Sequence, residues 1–267
     1  MRTNIISLLA ASAFAVLPAA AQGTLPYHRD INTISINAQT ARPEVFYYPT
    51  EAAALKGLTD GPDGSENYIC LNGTWDFAYF KDGSDIPENP AFIREWDSIK
   101  VPGNWEVQGF GYPVYSNVPY DFAPTNPQPP ILPSTIEAGV YRRTFTVPDN
   151  WKGKKIYVTL AGASAGVYVY INSTFVGYHE DSKAAARYDI GQYLMPGENK
   201  LIVKAFRWST GSFLEDQDFW RISGIERDVY LTCEDGPVLP DDFSIVSTFG
   251  PDLKDGVLML RNLPEGA

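Results

Sequence analysis

Three carboxylates fall within four consecutive positions, Glu215, Asp216 and Asp218, in a segment that also carries Trp208, Trp220 and Arg221. Carboxyl groups this close can do general acid/base work or hold a hard cation, because their oxygens accept hydrogen bonds and suit oxygen-seeking ions. The chain has 32 acidic residues, however, and a formal net charge of −11. Carboxylates clustered in an acidic protein ordinarily sit in water or cap turns, so no residue here is assigned a bond-breaking role. Arg221 has the planar fork to hold Glu215 or Asp216 bidentately. The two histidines, His28 and His179, are poor candidates for a catalytic base: His179 has no evident partner, and His28 falls in a stretch that reads as a flexible arm. Cys70 and Cys233 each lie in a strand-like run, and there is no CxxC, no HExxH and no Cys/His cluster. Zinc and redox chemistry therefore lack support. An oxidising compartment would permit a disulfide, but the spacing does not decide between a bond and two buried thiols.

The elements that must position these residues read as strands. The chain is 44% apolar and 13% aromatic, with 22 Gly and 21 Pro, a mixture of strand formers and turn punctuation. Residues 22–66 look like an irregular N-terminal arm with one short helix at Glu51–Lys56. Strands are expected at Tyr68–Leu71 and Thr74–Phe80, flanking Asn72-Gly73 as a hairpin turn, then at Asp97–Val101. Residues 111–139 form a proline-rich stretch whose Tyr112, Tyr115, Tyr120 and Phe122 argue for an ordered loop across a surface. Further strands follow at Val140–Val147, Lys155–Leu160, Val167–Ile171, Thr174–Tyr178, Arg187–Asp189, Lys200–Ala205 and Asp228–Cys233. Asn172-Ser173 and Pro196-Gly197-Glu198-Asn199 read as two more hairpin turns. Short strands at near-regular spacing without long helices predict an all-β antiparallel sandwich, with a jelly roll as the chosen topology. Asp235-Gly236-Pro237 looks like a linker. Phe243–Phe249 and Gly256–Leu260 are two more strands, too few to bury an apolar face alone, so the chain is expected to end inside an unfinished domain. Asn72 and Asn172 each open a formal glycosylation sequon, and both are read as turn residues instead.

Three segments together carry a resemblance. The first is Val101-Pro102-Gly103-Asn104-Trp105-Glu106 with Gly109-Phe110-Gly111-Tyr112-Pro113-Val114-Tyr115-Ser116-Asn117-Val118. The second is Gly177-Tyr178-His179-Glu180-Asp181-Ser182, ahead of Tyr188-Asp189-Ile190 and Pro196-Gly197-Glu198-Asn199. The third is the nineteen-residue run from Arg207 to Ile225, which contains Glu215-Asp216-Gln217-Asp218-Phe219-Trp220-Arg221. In order and spacing, residues 42–235 resemble the sugar-binding domain of glycoside hydrolase family 2, in its large β-galactosidase branch.

The resemblance implies a galactose-binding-like jelly roll at 67–235. It also implies an immunoglobulin-like β-sandwich begun at 238–267 and truncated there, and a catalytic (α/β)8 barrel that this chain lacks. The family's acid/base and nucleophile glutamates lie on that barrel, so the chain alone is expected to be inactive. What it contributes by resemblance is Asp218, which reaches into the barrel's site, ligates a monovalent cation (Na+) and meets the galactosyl 6-hydroxyl. Asn117, in the Ser116-Asn117-Val118 loop, supplies an amide that can donate to and accept from sugar hydroxyls. A Mg2+ ion belongs to the absent catalytic part. Trp208, Trp220 and Arg221 are expected to brace the Asp218 loop, and Asp181 to be structural. The implied function is hydrolysis of terminal β-D-galactosides. The alternatives are a stand-alone carbohydrate-binding module and a β-glucuronidase or β-mannosidase relative.

Charge and the N-terminus set the context. An acidic chain repels nucleic acid and anionic membrane, so neither is an expected partner. Residues 1–21 have a short positive start at Arg2, an uncharged apolar run from Ile5 to Leu17 and small residues at Ala19-Ala20-Ala21, the pattern of a signal peptide cleaved before Gln22. Export to the periplasm is the expectation. The proline-rich loop and the arm offer surfaces for homo-oligomer contacts.

Overall fold

A computed structural model of the protein describes residues 25–41, 46–118, 120–123, 125–215, 217–218, 220–234 and 243–262. The segment 1–21, the Asp235-Gly236-Pro237 stretch and Asp216 lie outside the described residues.

Two sheets face each other. The larger has seven strands in the order β1 (Ser35–Ile36), β10 (Thr174–His179), β9 (Gly166–Ile171), β12 (Glu198–Phe206), β6 (Ala138–Thr146), β3 (Gly73–Phe80) and β4 (Asp97–Val101). The smaller has four, in the order β11 (Ala186–Asp189), β7 (Lys155–Leu160), β14 (Val229–Glu234) and β2 (Tyr68–Cys70). Three two-residue strands, β5 (Gly103–Asn104), β13 (Gly224–Ile225) and β8 (Ala163–Ser164), make a small third sheet at one end. Every named pairing is antiparallel. The protein is an all-β sandwich.

β12, the central strand of the larger sheet, shows why these residues fold this way. Its side chains alternate between two apolar surroundings: Leu201, Val203 and Ala205 enter the core between the sheets, while Ile202 and Phe206 enter a second core on the outer face. A strand buried on both sides reads as an almost unbroken apolar run, as Leu201-Ile202-Val203-Lys204-Ala205-Phe206 does. Trp75, Trp105 and Trp151 are fully buried. At ~25 cal/mol per Å2 over the ~150–250 Å2 an aromatic ring buries, each stabilises the fold by on the order of 4–6 kcal/mol.

The outer core is roofed by loops. The proline-rich stretch is ordered, as expected, because its rings dock: Tyr120 on Phe213, and Phe122 on Phe213 and Trp208. The described part of the N-terminal arm also docks, which corrects the expectation of a flexible segment around His28. Tyr27 packs on Tyr168, Phe175 and Tyr178, His28 stacks on Phe206 with ring centroids 3.8 Å apart, and β1 adds to β10. Helix α1 spans Glu51–Asp60, one turn longer than expected. Thr50 caps its start by accepting from Ala53 N, and it stops at Gly61, whose φ of 80° suits glycine.

Two of the three expected hairpins are not hairpins. Asn172-Ser173 does join paired strands, β9 and β10, with both residues at positive φ. Across Asn72-Gly73, however, β2 pairs with β14 while β3 pairs with β4 and β6, so the chain passes from one sheet to the other. There the Asn72 amide donates to Asp228 Oδ1 at 2.8 Å and its oxygen accepts from Val229 N at 2.9 Å. The Pro196–Asn199 turn is a second crossing, from β11 in the smaller sheet to β12 in the larger. Buried Asn199 holds that turn by accepting from Met195 N and donating to the carbonyls of Met195 and Gly197. Farther on, β15 (Ser244–Phe249) and β16 (Gly256–Arg261) pair only with each other among the described residues.

Candidate substrate-site surface

The segment that carries Asp218 is pinned on both sides. On its N-terminal side, Thr210 Oγ1 donates to Glu180 Oε1 at 2.9 Å. Glu215 accepts from Ser182 N at 2.8 Å and from Ser182 Oγ at 2.6 Å. Both Glu215 oxygens are thus engaged with Ser182, which corrects its expected pairing with Arg221. On the C-terminal side, Arg221 Nη1 donates to Gln217 O at 2.6 Å, and Arg221 Nε lies 3.9 Å from Asp121 Oδ1. Arg221 is buried and does brace the loop, but by gripping its backbone and the proline-rich stretch.

The loop carrying Asn117 is fastened to this segment by an isolated antiparallel bridge between Val114 and Arg221. Arg221 N donates to Val114 O at 2.7 Å and Val114 N to Arg221 O at 3.4 Å. Beyond the bridge, Tyr115 Oη donates to Asp218 Oδ1 at 3.1 Å, and the Tyr115 ring lies 5.6 Å from that of Trp220. The hydrogen bond to the Asp218 carboxylate raises the Tyr115 pKa above its ordinary value.

Residues 103 places apart in sequence are therefore in direct contact. Asn117, Val118 and Asp218 are all exposed. The turn at Asn117 is closed by its neighbour, since Val118 N donates to Ser116 Oγ at 3.2 Å. The Asn117 amide is left to face solvent. Trp220 is 54% exposed and so contributes surface rather than bracing. Trp208 packs on Phe122 of the proline-rich stretch.

Behind this surface lies a largely buried polar network that no sequence motif announces. Arg207 pairs with Glu137, whose other oxygen accepts from Tyr79 Oη. Arg207 Nη1 also lies 3.9 Å from Glu106 Oε1, and Glu106 Oε2 accepts from Ser223 N at 2.8 Å. Burial pushes the Glu106 carboxyl above its ordinary pKa, partly offset by the hydrogen bond from Ser223. A cleft of about 50 Å3 lies between this network and Trp220. It is far smaller than the roughly 300–1,000 Å3 of enclosed ligand sites.

The remaining candidates fall elsewhere. Asp181 Oδ1 accepts from Lys183 N and Ala184 N and closes a turn, as expected. Both ring nitrogens of His179 are buried, and burial, partly offset by the nearby Asp181, lowers its pKa below the ordinary value. Cys70 is an exposed thiol, and Cys233 is buried. Among the described residues, no group of three or more His, Cys, Asp or Glu side chains is placed to hold a metal ion. No described helix is long and apolar enough to cross a membrane.

Comparison with known proteins places the chain in a family. The model of the glycosyl hydrolases family 2 sugar binding domain matches residues 69–234. The β-galactosidase of Priestia megaterium is 39% identical over 246 residues, covering 90% of this chain and 23% of the relative. That of Psychromonas ingrahamii is 42% identical over 187 residues, covering 68% of this chain and 18% of the relative. The chain thus spans about a fifth of the length of these curated relatives. Among solved structures, the β-glucuronidase of Bifidobacterium dentium complexed with coumarin-3-O-glucuronide aligns with a TM-score of 0.51 at 19% identity, over 71% of this chain and 34% of that one. That likeness is one of fold.

Proposed function

The chain belongs to glycoside hydrolase family 2 through its sugar-binding domain, and on that premise we propose that it completes the substrate site of an exported retaining β-galactosidase whose bond-breaking groups lie on a barrel beyond it. One observation carries this reading. The bridge at Val114 and Arg221 sets Asp218 and the Asn117 loop side by side, and among the described residues Asn117, Val118 and Asp218 are all exposed.

The chemistry fits a supporting role. With Asp218 Oδ1 accepting from Tyr115, Oδ2 remains to accept a hydrogen bond from a sugar hydroxyl. The Asn117 amide can both donate and accept, as recognition of a hydroxyl requires. A carboxylate oxygen is also a hard donor of the kind a monovalent cation takes. Asp218 would hold Na+ here, with the remaining oxygen ligands supplied from outside this chain, and the cation would lend its charge to fixing a sugar hydroxyl oxygen. Retaining hydrolysis itself needs two carboxyl groups ~5–5.5 Å apart, one as nucleophile and one as acid then base, and these we place on the barrel. Residues 1–21 are proposed to direct export to the periplasm and 238–267 to begin an immunoglobulin-like domain.

The test compares three proteins with a chromogenic β-galactoside: the complete gene product, its Asp218→Asn variant, and residues 22–267 alone. Turnover is expected from the first. The amide variant should lose roughly tenfold or more in kcat/KM, about one charge-assisted hydrogen bond's worth, together with its response to Na+. The short chain should show none. Turnover by residues 22–267, or an Asp218→Asn enzyme with unaltered kinetics, would overturn the reading.

A further inference from the structure

We propose that Arg207 is the positioning residue of this site, holding the Asn117 loop and the Asp218 loop in register through a single guanidinium. The functional half of the proposal rests on the galactosidase reading; the structural half does not.

Arg207 directly follows β12, the central strand of the larger sheet. Its side chain is 6% exposed. One side of the guanidinium is anchored in the sandwich: Nη1 pairs with Glu137, immediately before β6, and faces Glu106. The main chain repeats the tie, with Arg207 N donating to Glu137 O at 2.8 Å. The other side reaches outward. Nη2 donates to Tyr112 O at 2.9 Å and to Arg221 O at 3.4 Å. Tyr112 stands five residues before Asn117, and Arg221 three residues after Asp218. One nitrogen therefore meets one carbonyl from each loop. Arg221 O is the same oxygen that receives Val114 N in the bridge between them.

The other links between the loops are weaker. The Tyr115–Asp218 hydrogen bond is exposed, where water competes for both groups. The bridge is one isolated pair of backbone bonds. Arg207 reaches both loops from a buried, ion-paired base, and its rigid planar fork holds the carboxylates on one terminal nitrogen and the two carbonyls on the other. A lysine at 207 would keep the charge near Glu137 and Glu106 but could not span to both carbonyls. Arg207→Lys therefore separates charge from fork. Complete truncation also leaves two carboxylates short of their cation.

Two measurements test the proposal. In residues 22–267, hydrogen exchange is followed at the amides of Val114 and Arg221, with Val203 and Tyr141 in the central strands as references. Arg207→Lys is expected to speed exchange at Val114 and Arg221 by tenfold or more and leave Val203 and Tyr141 as they were. In the complete gene product, Arg207→Lys should raise KM for a β-galactoside about tenfold while kcat stays within about threefold. In Arg207→Ala, millimolar guanidinium should bring KM back toward the wild-type value.

Unchanged protection at Val114 and Arg221 would overturn the proposal. So would loss of protection at all four amides, which would make Arg207 a general stabiliser rather than a positioning group. If wild-type complete protein fails to cleave the galactoside while the two bridge amides still respond, the galactosidase reading fails and the positioning role of Arg207 stands.

Discussion

His28 is a buried imidazole with cations for neighbours. It is 4% exposed, its Nδ1 lies 2.9 Å from Tyr168 Oη, and burial, with lesser contributions from Arg29 and Lys204, lowers its pKa from 6.5 to about 3. The unfolded chain takes up a proton near pH 6.5 and the folded chain does not, so His28 favours folding fully above that pH. The contribution is lost as pH falls from 6.5 towards 3. Between pH 7 and 5 the loss is at most about 2 kcal/mol, at 1.36 kcal/mol per unit of pKa difference. Buried Glu106 and Glu180 have raised pKa values and act in the opposite direction, so the effect must be read as a difference. Urea unfolding of wild type and His28→Phe, which keeps a ring against Phe206, should show wild type losing about 1–2 kcal/mol relative to the variant between pH 7 and 5. A difference independent of pH would refute the buried neutral imidazole. None of this was legible in the sequence, where His28 sits among polar and charged residues of the arm and its partners lie 140 and 178 positions away. The two loops were legible as motif runs, which is why Asn117 and Asp218 are the proposed sugar contacts. The Arg207 network was not, since no spacing rule links Tyr79, Glu106, Glu137 and Arg207.

Strand positions could be read from alternation, and strand partners could not. β7, β9, β10, β11, β12 and β14 each fall within two residues of where the pattern places them. The residues that turn a hairpin also carry a chain from one sheet to another, so Asn72-Gly73 and Pro196–Asn199 look locally like Asn172-Ser173. The two-residue strands β1, β5, β8 and β13 are too short for any periodicity. β1 is held at the sheet edge by a close approach at Gly177. A Cβ there would lie 2.4 Å from Ile36 O and 2.5 Å from Cε1 of fully buried Tyr188. Neither neighbour is the loose end of a flexible chain, so Gly177→Ala must push β1 off the edge or displace Tyr188 from the core. Overpacking of this kind costs about 1–3 kcal/mol, a fall in Tm of roughly 3–10 °C for a chain of this size. A thermal melt of Gly177→Ala that coincides with wild type would show that β1 is not held there in solution.

At the scale of the molecule, the question is whether this sandwich binds sugar unaided. Among the described residues, its proposed site surface carries the Asn117 amide and the Asp218 carboxylate, both exposed. A neutral hydrogen bond contributes about 0.5–1.5 kcal/mol net and one to a charged group about 1.5–3, so the pair offers at most roughly 4.5 kcal/mol. Association costs an estimated 4 kcal/mol or more in lost translational and rotational freedom, and a Kd of 1 mM already requires about −4.1 kcal/mol after that cost is met. Stacking on the Trp220 face adds some apolar contact, but the adjoining cleft of about 50 Å3 encloses nothing the size of a pyranose. The balance therefore falls short of millimolar affinity. Calorimetric titration of residues 22–267 with galactose or lactose up to tens of millimolar should give only heats of dilution, and the same titration should leave Trp220 fluorescence unmoved. Saturable heat with a Kd below about 1 mM, abolished by Asp218→Asn, would instead make this sandwich a carbohydrate-binding module in its own right and remove the need for a barrel to close the site.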